Sequence, residues 1–212
     1  MSEWVLSLCD ESGIMVQPWA EAGYRCICVD LSAKGTRQDG LVTYVGADVR
    51  TYRPPIRPYA AAFAFPPCTH TAVSGAKHFR RKGLRALIEA LEVVEACREI
   101  LEWTETAWML ENPVSTISTY WREPDYTFDP SDYAGYPGGQ GDTYPKRTCL
   151  WTGNGFVMPT PRPLPQTDTR IHSMGPSLER ARLRSKTPPG FARAVFESNV
   201  NRMRQLSLVA ND

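Results

Sequence analysis

Ala60-Ala61-Ala62-Phe63-Ala64-Phe65 is an unbroken apolar run that stops at Pro66-Pro67-Cys68. It is far shorter than the ~20 residues that span a bilayer. It also lacks the polar alternation of a half-buried strand, so it predicts a strand covered on both faces, as in a parallel sheet. Ala107-Trp108-Met109-Leu110 is a second such run and ends at Glu111-Asn112-Pro113. A thiol and a carboxyl group thus stand where two candidate strands stop. In an open α/β sheet that carboxyl edge is where ligands bind.

The rest of the chain supports the same class. Trp4 to Leu8 reads as a first strand, Cys9 to Gly13 as a turn, Val16 to Ala22 as a helix and Arg25 to Val29 as a second strand, which makes a β-α-β unit. Residues 31–40 are polar and read as turn. Val42 to Val45 reads as a third strand ending near Gly46-Ala47-Asp48, and the proline-rich 53–58 leads into the run before Cys68. Leu84, Leu87, Ile88, Leu91, Val94 and Ile100 recur at helical spacing and predict a long amphipathic helix over 84–103 that packs on the sheet. The segment 116–144 is rich in Tyr, Pro, Gly and Asp, and reads as an ordered but irregular cap. Arg147 to Trp151 reads as another strand. A last helix is expected from Pro189 to about Leu206, with Thr187 as its cap and proline in its first turn.

A chain of 212 residues with 42% hydrophobic content suits one domain spanning 1–212. Lys+Arg 24 against Asp+Glu 23 supplies no overall attraction for a polyanion. Nucleic-acid binding would need a local patch, and His78 to Arg85 and Arg180 to Lys186 are two basic clusters. Without a long apolar segment or a signal-peptide pattern, the expectation is a soluble, cytoplasmic protein with no membrane partner. The six cysteines are scattered, and the one-residue gap between Cys26 and Cys28 does not suit a zinc site, so reduced thiols and no metal are expected.

Taken in order, these motifs resemble the cytosine-5 DNA methyltransferases, most closely the short forms of bacteriophage genomes, over nearly the whole chain. The resemblance implies a Rossmann-like, S-adenosylmethionine-dependent methyltransferase fold with a mostly parallel sheet and helices on both faces. Leu8, Cys9, Asp10, Glu11, Ser12 and Gly13 match the family's cofactor turn, with Glu11 standing where a glycine is usual. Asp30, followed by Leu31, matches the acid that accepts hydrogen bonds from the ribose hydroxyls, two donors that a carboxylate's two oxygens suit. Asp48, followed by Val49, matches the acid that receives the adenine amino group.

Phe65-Pro66-Pro67-Cys68 through Ser74-Gly75 resembles the catalytic loop, with Pro66 on the cofactor side and Pro67 and Ser74 toward substrate. Cys68 is the implied nucleophile toward ring carbon 6 of cytosine. Glu111 is the implied acid at ring nitrogen 3, and Asn112 is placed beside the base. Tyr144 to Trp151 resembles the family's Gln-x-Arg-x-Arg motif in reduced form. In it, Arg147 matches the first arginine, Lys146 lies on the substrate side, Pro145 replaces the glutamine and Cys149 the second arginine. Ser185 to Ala194 resembles the last motif, which completes the cofactor pocket.

Residues 152–186 form only a short insertion where sequence-specific members carry a target-recognition domain, and reading duplex DNA needs an element large enough to enter the major groove. The implied substrate is therefore DNA, duplex or single-stranded, read with little or short specificity, or targeted through a partner protein. A free cytosine nucleotide, held at its phosphate by Arg80, Arg81 or Arg182, and a catalytically silent binding homologue are the alternatives.

Overall fold

The structure, a computed structural model, describes residues 3–165 and 186–209. Trp4–Leu8 forms β1, whose last four residues are buried. A 3-10 turn and the short helix α1 (Gln17–Glu21) follow, with Pro18 in the first turn, where its missing N–H is no loss. The chain returns as β2 (Arg25–Asp30), parallel to β1. Next come β3 (Thr36–Asp39), β4 (Val42–Gly46) and β5 (Tyr59–Ala64), which is buried throughout as its unbroken apolar run predicts. The helix α2 (Phe79–Trp103) leads to β6 (Trp108–Pro113), then come α3 (Ile117–Tyr120), β7 (Tyr126–Phe128) and β8 (Thr148–Gly153).

The eight strands form one sheet in the order β3-β4-β2-β1-β5-β6-β8-β7. The five strands from β4 to β6 are parallel, and β3 and β8 pair antiparallel to β4 and β6. The fold is α/β, with a mostly parallel sheet. From β1 the chain builds outward through β2 to β4, then crosses back and builds the other half through β5 and β6. The order therefore reverses between β1 and β5. Among the described residues no helix is long and apolar enough to cross a membrane.

Several elements differ from the sequence reading. β6 runs on through Glu111 to Pro113, paired antiparallel with β8, so Glu111 lies within the strand and not where it stops, and the segment read as an irregular cap contains α3 and β7. β3 lies in the stretch read as turn; all of its residues are exposed, so it carries no alternation, and it is held by its ladder to β4 and by Arg37 lying 4.0 Å over the Tyr44 ring. The amphipathic stripe of α2 does not pack along its whole length: Leu84 and Ile88 are exposed, and the buried line is Ala90, Val94, Cys97, Ile100 and Leu101, at the end nearer β6. The helix is broken at Gly83, whose φ of 75° suits glycine, and it runs regularly from Leu84, where the sequence places its start. Finally, β8 takes in residues 152 and 153, so the short insertion begins after them, and 166–185 lie outside the described residues.

Where the sequence reading expects one domain, the chain divides into two compact units, 1–127 with 148–156, and 128–147 with 157–212. The first holds the parallel strands. The second, which carries most of the expected cap, is built on α4 (Pro189–Val209). Phe191 stacks on Phe128 at 4.0 Å, and Tyr133 approaches both rings. The hydroxyls of Tyr133 and Tyr136 donate to the carbonyls of Pro159 and Thr160, which ties the proline-rich segment down. Asn199 accepts from Val157 N and donates to Val157 O, so one buried amide pins the same segment to α4.

Asp142 accepts from Gly190 N at the start of α4 at 3.0 Å, yet burial outweighs that bond and pushes its carboxyl up to about 6. The native state then holds a proton that the unfolded chain releases near about 3.9. The group's contribution to stability is full below about pH 4 and is lost as pH rises through about 6. Asp142→Asn keeps the acceptor for Gly190 and removes the titration. The melting-temperature advantage of this variant over wild type is expected to grow across that window and level off above it. A pH-independent difference would show that the carboxyl does not carry the proton.

Candidate active site

The parallel register sets one row of residues across the sheet where the parallel pairing ends. Val45, Val29, Leu8, Ala64 and Leu110 are lateral partners across β4, β2, β1, β5 and β6. One residue further along each strand stand Gly46, Asp30, Cys9, Phe65 and Glu111. The reversal of strand order falls in the middle of this row, between Cys9 and Phe65, and Phe65 N donates to Leu8 O across it at 3.0 Å. A topological switch point leaves a crevice outside the carboxyl ends of its two strands, and here those strands lead into the Cys9–Gly13 turn and the Cys68 loop.

The turn after β1 is shaped from within. Asp10 is buried, and both its oxygens serve the turn: Oδ2 accepts from Ser7 Oγ, while Oδ1 accepts from Ser12 Oγ and from Gly13 N at 2.7 Å. Burial raises its carboxyl above the usual range against those hydrogen bonds. Asp10, expected among the cofactor contacts, is therefore a scaffold for the turn, and Glu11 is the carboxylate that the turn exposes. Gly13 sits at φ 67°, and a Cβ there would overlap the Tyr44 hydroxyl. Gly13→Ala is expected to lose about 1–2 kcal/mol, the ordinary cost of a left-handed non-glycine residue, with the overlap adding to it. Urea unfolding checks this, and an unchanged midpoint would mean that the turn relaxes freely.

At the end of β2, Asp30 Oδ1 accepts from the backbone and hydroxyl of Ser32 at 2.8 and 2.6 Å, leaving Oδ2 without a donor among the described residues. Leu31 beside it is 73% exposed, a large apolar side chain left facing solvent at the ligand edge. Asp48 does not present a free carboxylate: Arg50 donates to both of its oxygens and holds the carboxyl below the usual range. Val49 is buried and belongs to the core.

The loop after β5 is clamped to the end of β6. Thr71 N and Ala72 N donate to Cys68 O at 3.1 and 2.9 Å, closing a turn on the cysteine. Asn112, fully buried, donates through Nδ2 to Pro66 O at 2.9 Å and accepts at Oδ1 from Thr71 Oγ1 at 3.4 Å. Ala72 bridges to Ser115, Val73 N donates to Val114 O, and Thr116 N donates to Thr71 O. Lys82 Nζ, from α2, bonds Thr69 O. The half-buried Cys68 and Glu111 are thus carried on two segments that are stitched together. Asn112 acts as the brace of this loop, a role the sequence could not distinguish from contact with a base. Pro66 is buried, and Pro67 and Ser74 are exposed on the loop. Arg80 and Arg81 are exposed at the start of α2, next to Lys77 and His78.

Lys146 and Arg147 belong to the second unit, where Arg147 is exposed and Lys146 N donates to Asp129 Oδ1. The basic residues Arg180, Arg182 and Arg184 lie outside the described residues.

All six thiols are free. Burial pushes Cys26 up to about 12 and Cys28 well up as well, so neither is suited to be a nucleophile or a metal ligand. Among the described residues no cluster of His, Cys, Asp and Glu could hold a metal ion. The fold and edge define an α/β protein whose parallel strands carry a cysteine loop, a glutamate and an aspartate on the same side of the sheet. No protein-family model matches the chain, and no curated protein matches it.

Proposed function

We propose that the chain is an S-adenosylmethionine-dependent cytosine-5 methyltransferase acting on DNA with little or short sequence preference. The observation that carries this reading is the row of strand ends, which sets Asp30, the glycine turn, the clamped Cys68 loop and Glu111 side by side across the switch point. The residues fit the cofactor. The turn holds a left-handed glycine, Asp30 keeps an oxygen for a ribose hydroxyl, and exposed Leu31 offers an apolar surface for a purine. Asp48 would receive the adenine amino group while sharing its oxygens with Arg50. When bound, the cofactor supplies an electrophilic methyl group.

The chain's own part follows from the chemistry of its groups. The Cys68 thiolate adds to carbon 6 of the ring, and Glu111 delivers a proton to nitrogen 3, so the electron pair displaced by the addition is not left as a ring anion. Carbon 5 becomes electron-rich, the state in which it would accept the methyl group that the bound cofactor would supply. Loss of the carbon 5 proton to a base then returns the pair and expels the Cys68 thiolate, and the nitrogen 3 proton goes back to Glu111. The resemblance alone gives Arg147 the role of donor to the carbonyl of the displaced pyrimidine. The exposed Lys77, His78, Arg80, Arg81 and Arg85, next along the chain from the Cys68 loop, suit a phosphate backbone.

The deciding test supplies labelled methyl donor with duplex DNA, single-stranded DNA and deoxycytidine monophosphate in parallel, followed by digestion to identify the modified base. Label in 5-methylcytosine from either polymer is expected. Label in the mononucleotide alone would move the substrate to a free nucleotide, and no label with any of them would sink the reading. Glu111→Gln is expected to lower transfer roughly 10²–10⁴-fold, the usual worth of a positioned acid, without changing cofactor affinity by calorimetry. Transfer at wild-type rate would remove Glu111 from the mechanism.

A further inference from the structure

The sulfur atoms of Cys9 and Cys97 lie 3.8 Å apart, although the residues are far apart in sequence. Cys9 is the first residue after β1; it is half-buried and held at φ 54°. Cys97 is fully buried on the packed end of α2, on the line of residues that docks against the sheet. A disulfide needs its sulfurs at about 2.05 Å, so the pair must close by a little under 2 Å. Cys97 sits in the middle of a helix and cannot follow without unpacking it. Cys9 stands at the head of a turn, so the turn supplies the movement. The other thiols are placed differently: Cys26 and Cys28 are buried in β2, Cys149 is buried in β8, and Cys68 lies in the clamped loop.

We propose that Cys9 and Cys97 form an oxidation site whose disulfide draws the Cys9–Gly13 turn toward α2 and switches off the crevice it borders. The effect on the crevice rests on the cofactor reading above, whereas the disulfide itself does not. With hydrogen peroxide as the oxidant, the Cys9 thiolate takes one oxygen to give a sulfenic acid, releasing hydroxide. The Cys97 sulfur then attacks that of Cys9, the S–S bond forms, and the second hydroxide leaves. The two thiol protons convert both hydroxides to water, so peroxide is reduced to two waters as the thiol pair is oxidised. The order follows from access, because the oxidant reaches the half-exposed Cys9 and not Cys97.

The experiment treats the reduced full-length protein with peroxide, blocks remaining thiols by alkylation, and maps disulfides by mass spectrometry of unreduced digests. A Cys9–Cys97 linked peptide is expected, reversed by dithiothreitol. Both cysteines found alkylated, or Cys9 joined to any other cysteine, would overturn the site. Calorimetry with S-adenosylmethionine then compares reduced and oxidised protein. Affinity is expected to fall about tenfold or more, within the usual range of coupling between two sites. Oxidation should leave affinity unchanged in Cys9→Ser, and in Cys97→Ala where that variant folds. A disulfide that forms without altering affinity would overturn the switch. Failure of the reduced protein to bind the cofactor would count against the cofactor reading and leave the mapped disulfide standing.

Discussion

Cys68→Ser is expected to abolish methyl transfer, a loss on the order of 10⁴ to 10⁶, the range seen when an enzyme's nucleophile is removed. A serine hydroxyl is far less ionised than a thiol near neutral pH, and it is the ionised form that adds to a ring carbon. Several features confine what the substitution changes. Cys68 is half-buried rather than packed in the core, its carbonyl rather than its side chain closes the turn to Thr71 and Ala72, and the clamp on its loop uses Pro66, Thr71 and Ala72. Serine leaves all of those bonds in place. Calorimetry with S-adenosylmethionine should return the wild-type affinity, and thermal unfolding the wild-type midpoint. Transfer within tenfold of wild type would rule out Cys68 as the nucleophile. A lowered midpoint would mean that the thiol is structural.

How much of this was legible in the sequence depends on what kind of interaction holds each piece. Strands buried on both faces announce themselves as apolar runs, so β1, β2 and β5 are found at nearly their true bounds from residues 4–8, 25–29 and 60–65 alone, whereas β6 runs past the apolar stretch 107–110 to Pro113 because β8 pairs with Glu111, Asn112 and Pro113. β3 is invisible for the opposite reason. Thr36-Arg37-Gln38-Asp39 buries nothing, and its extended backbone is imposed by the ladder to β4, a long-range fact that local composition does not carry. The stripe on α2 misleads by being continuous where the packing is not: Leu84 and Ile88 have the right spacing and no sheet beneath them. In the candidate site, the sequence offers residue types that suit the proposed chemistry, whereas the hydrogen bonds that tell them apart are not legible in it. Asp10 and Asp30 are both acids at strand ends, yet one has both its oxygens committed to its own turn and the other keeps one spare. Only hydrogen-bond partners separate a ligand from a scaffold, and partners distant in sequence leave no local signal.

Asn112→Asp tests the most consequential of these reassignments, because the two side chains have the same shape and differ in one group. The asparagine presents a donor to Pro66 O and an acceptor to Thr71 Oγ1, and it is fully buried. Aspartate keeps the acceptor but sets an oxygen against the Pro66 carbonyl, so two acceptors face one another out of reach of water. It must also either bury a charge or hold a proton there. An unsatisfied buried pair costs about 1–3 kcal/mol, and more when charged, so a large drop in stability is expected, deepening as pH rises and the new carboxyl is pressed to ionise. The catalytic consequence is separate from the thermodynamic one. Pro66 is two residues from Cys68, and a reacting atom misplaced by about 1 Å loses on the order of 10² in rate. Transfer measured well below the melting temperature should therefore fall by about that factor, while the affinity for S-adenosylmethionine, which the proposed function assigns to the β1 and β2 side of the row, holds. Had Asn112 touched the base instead, the variant would raise the KM for DNA and leave the melting temperature where it was. That outcome would return Asn112 to substrate binding and leave the Ala72–Ser115 bridge and the Lys82 contact as what holds the cysteine loop.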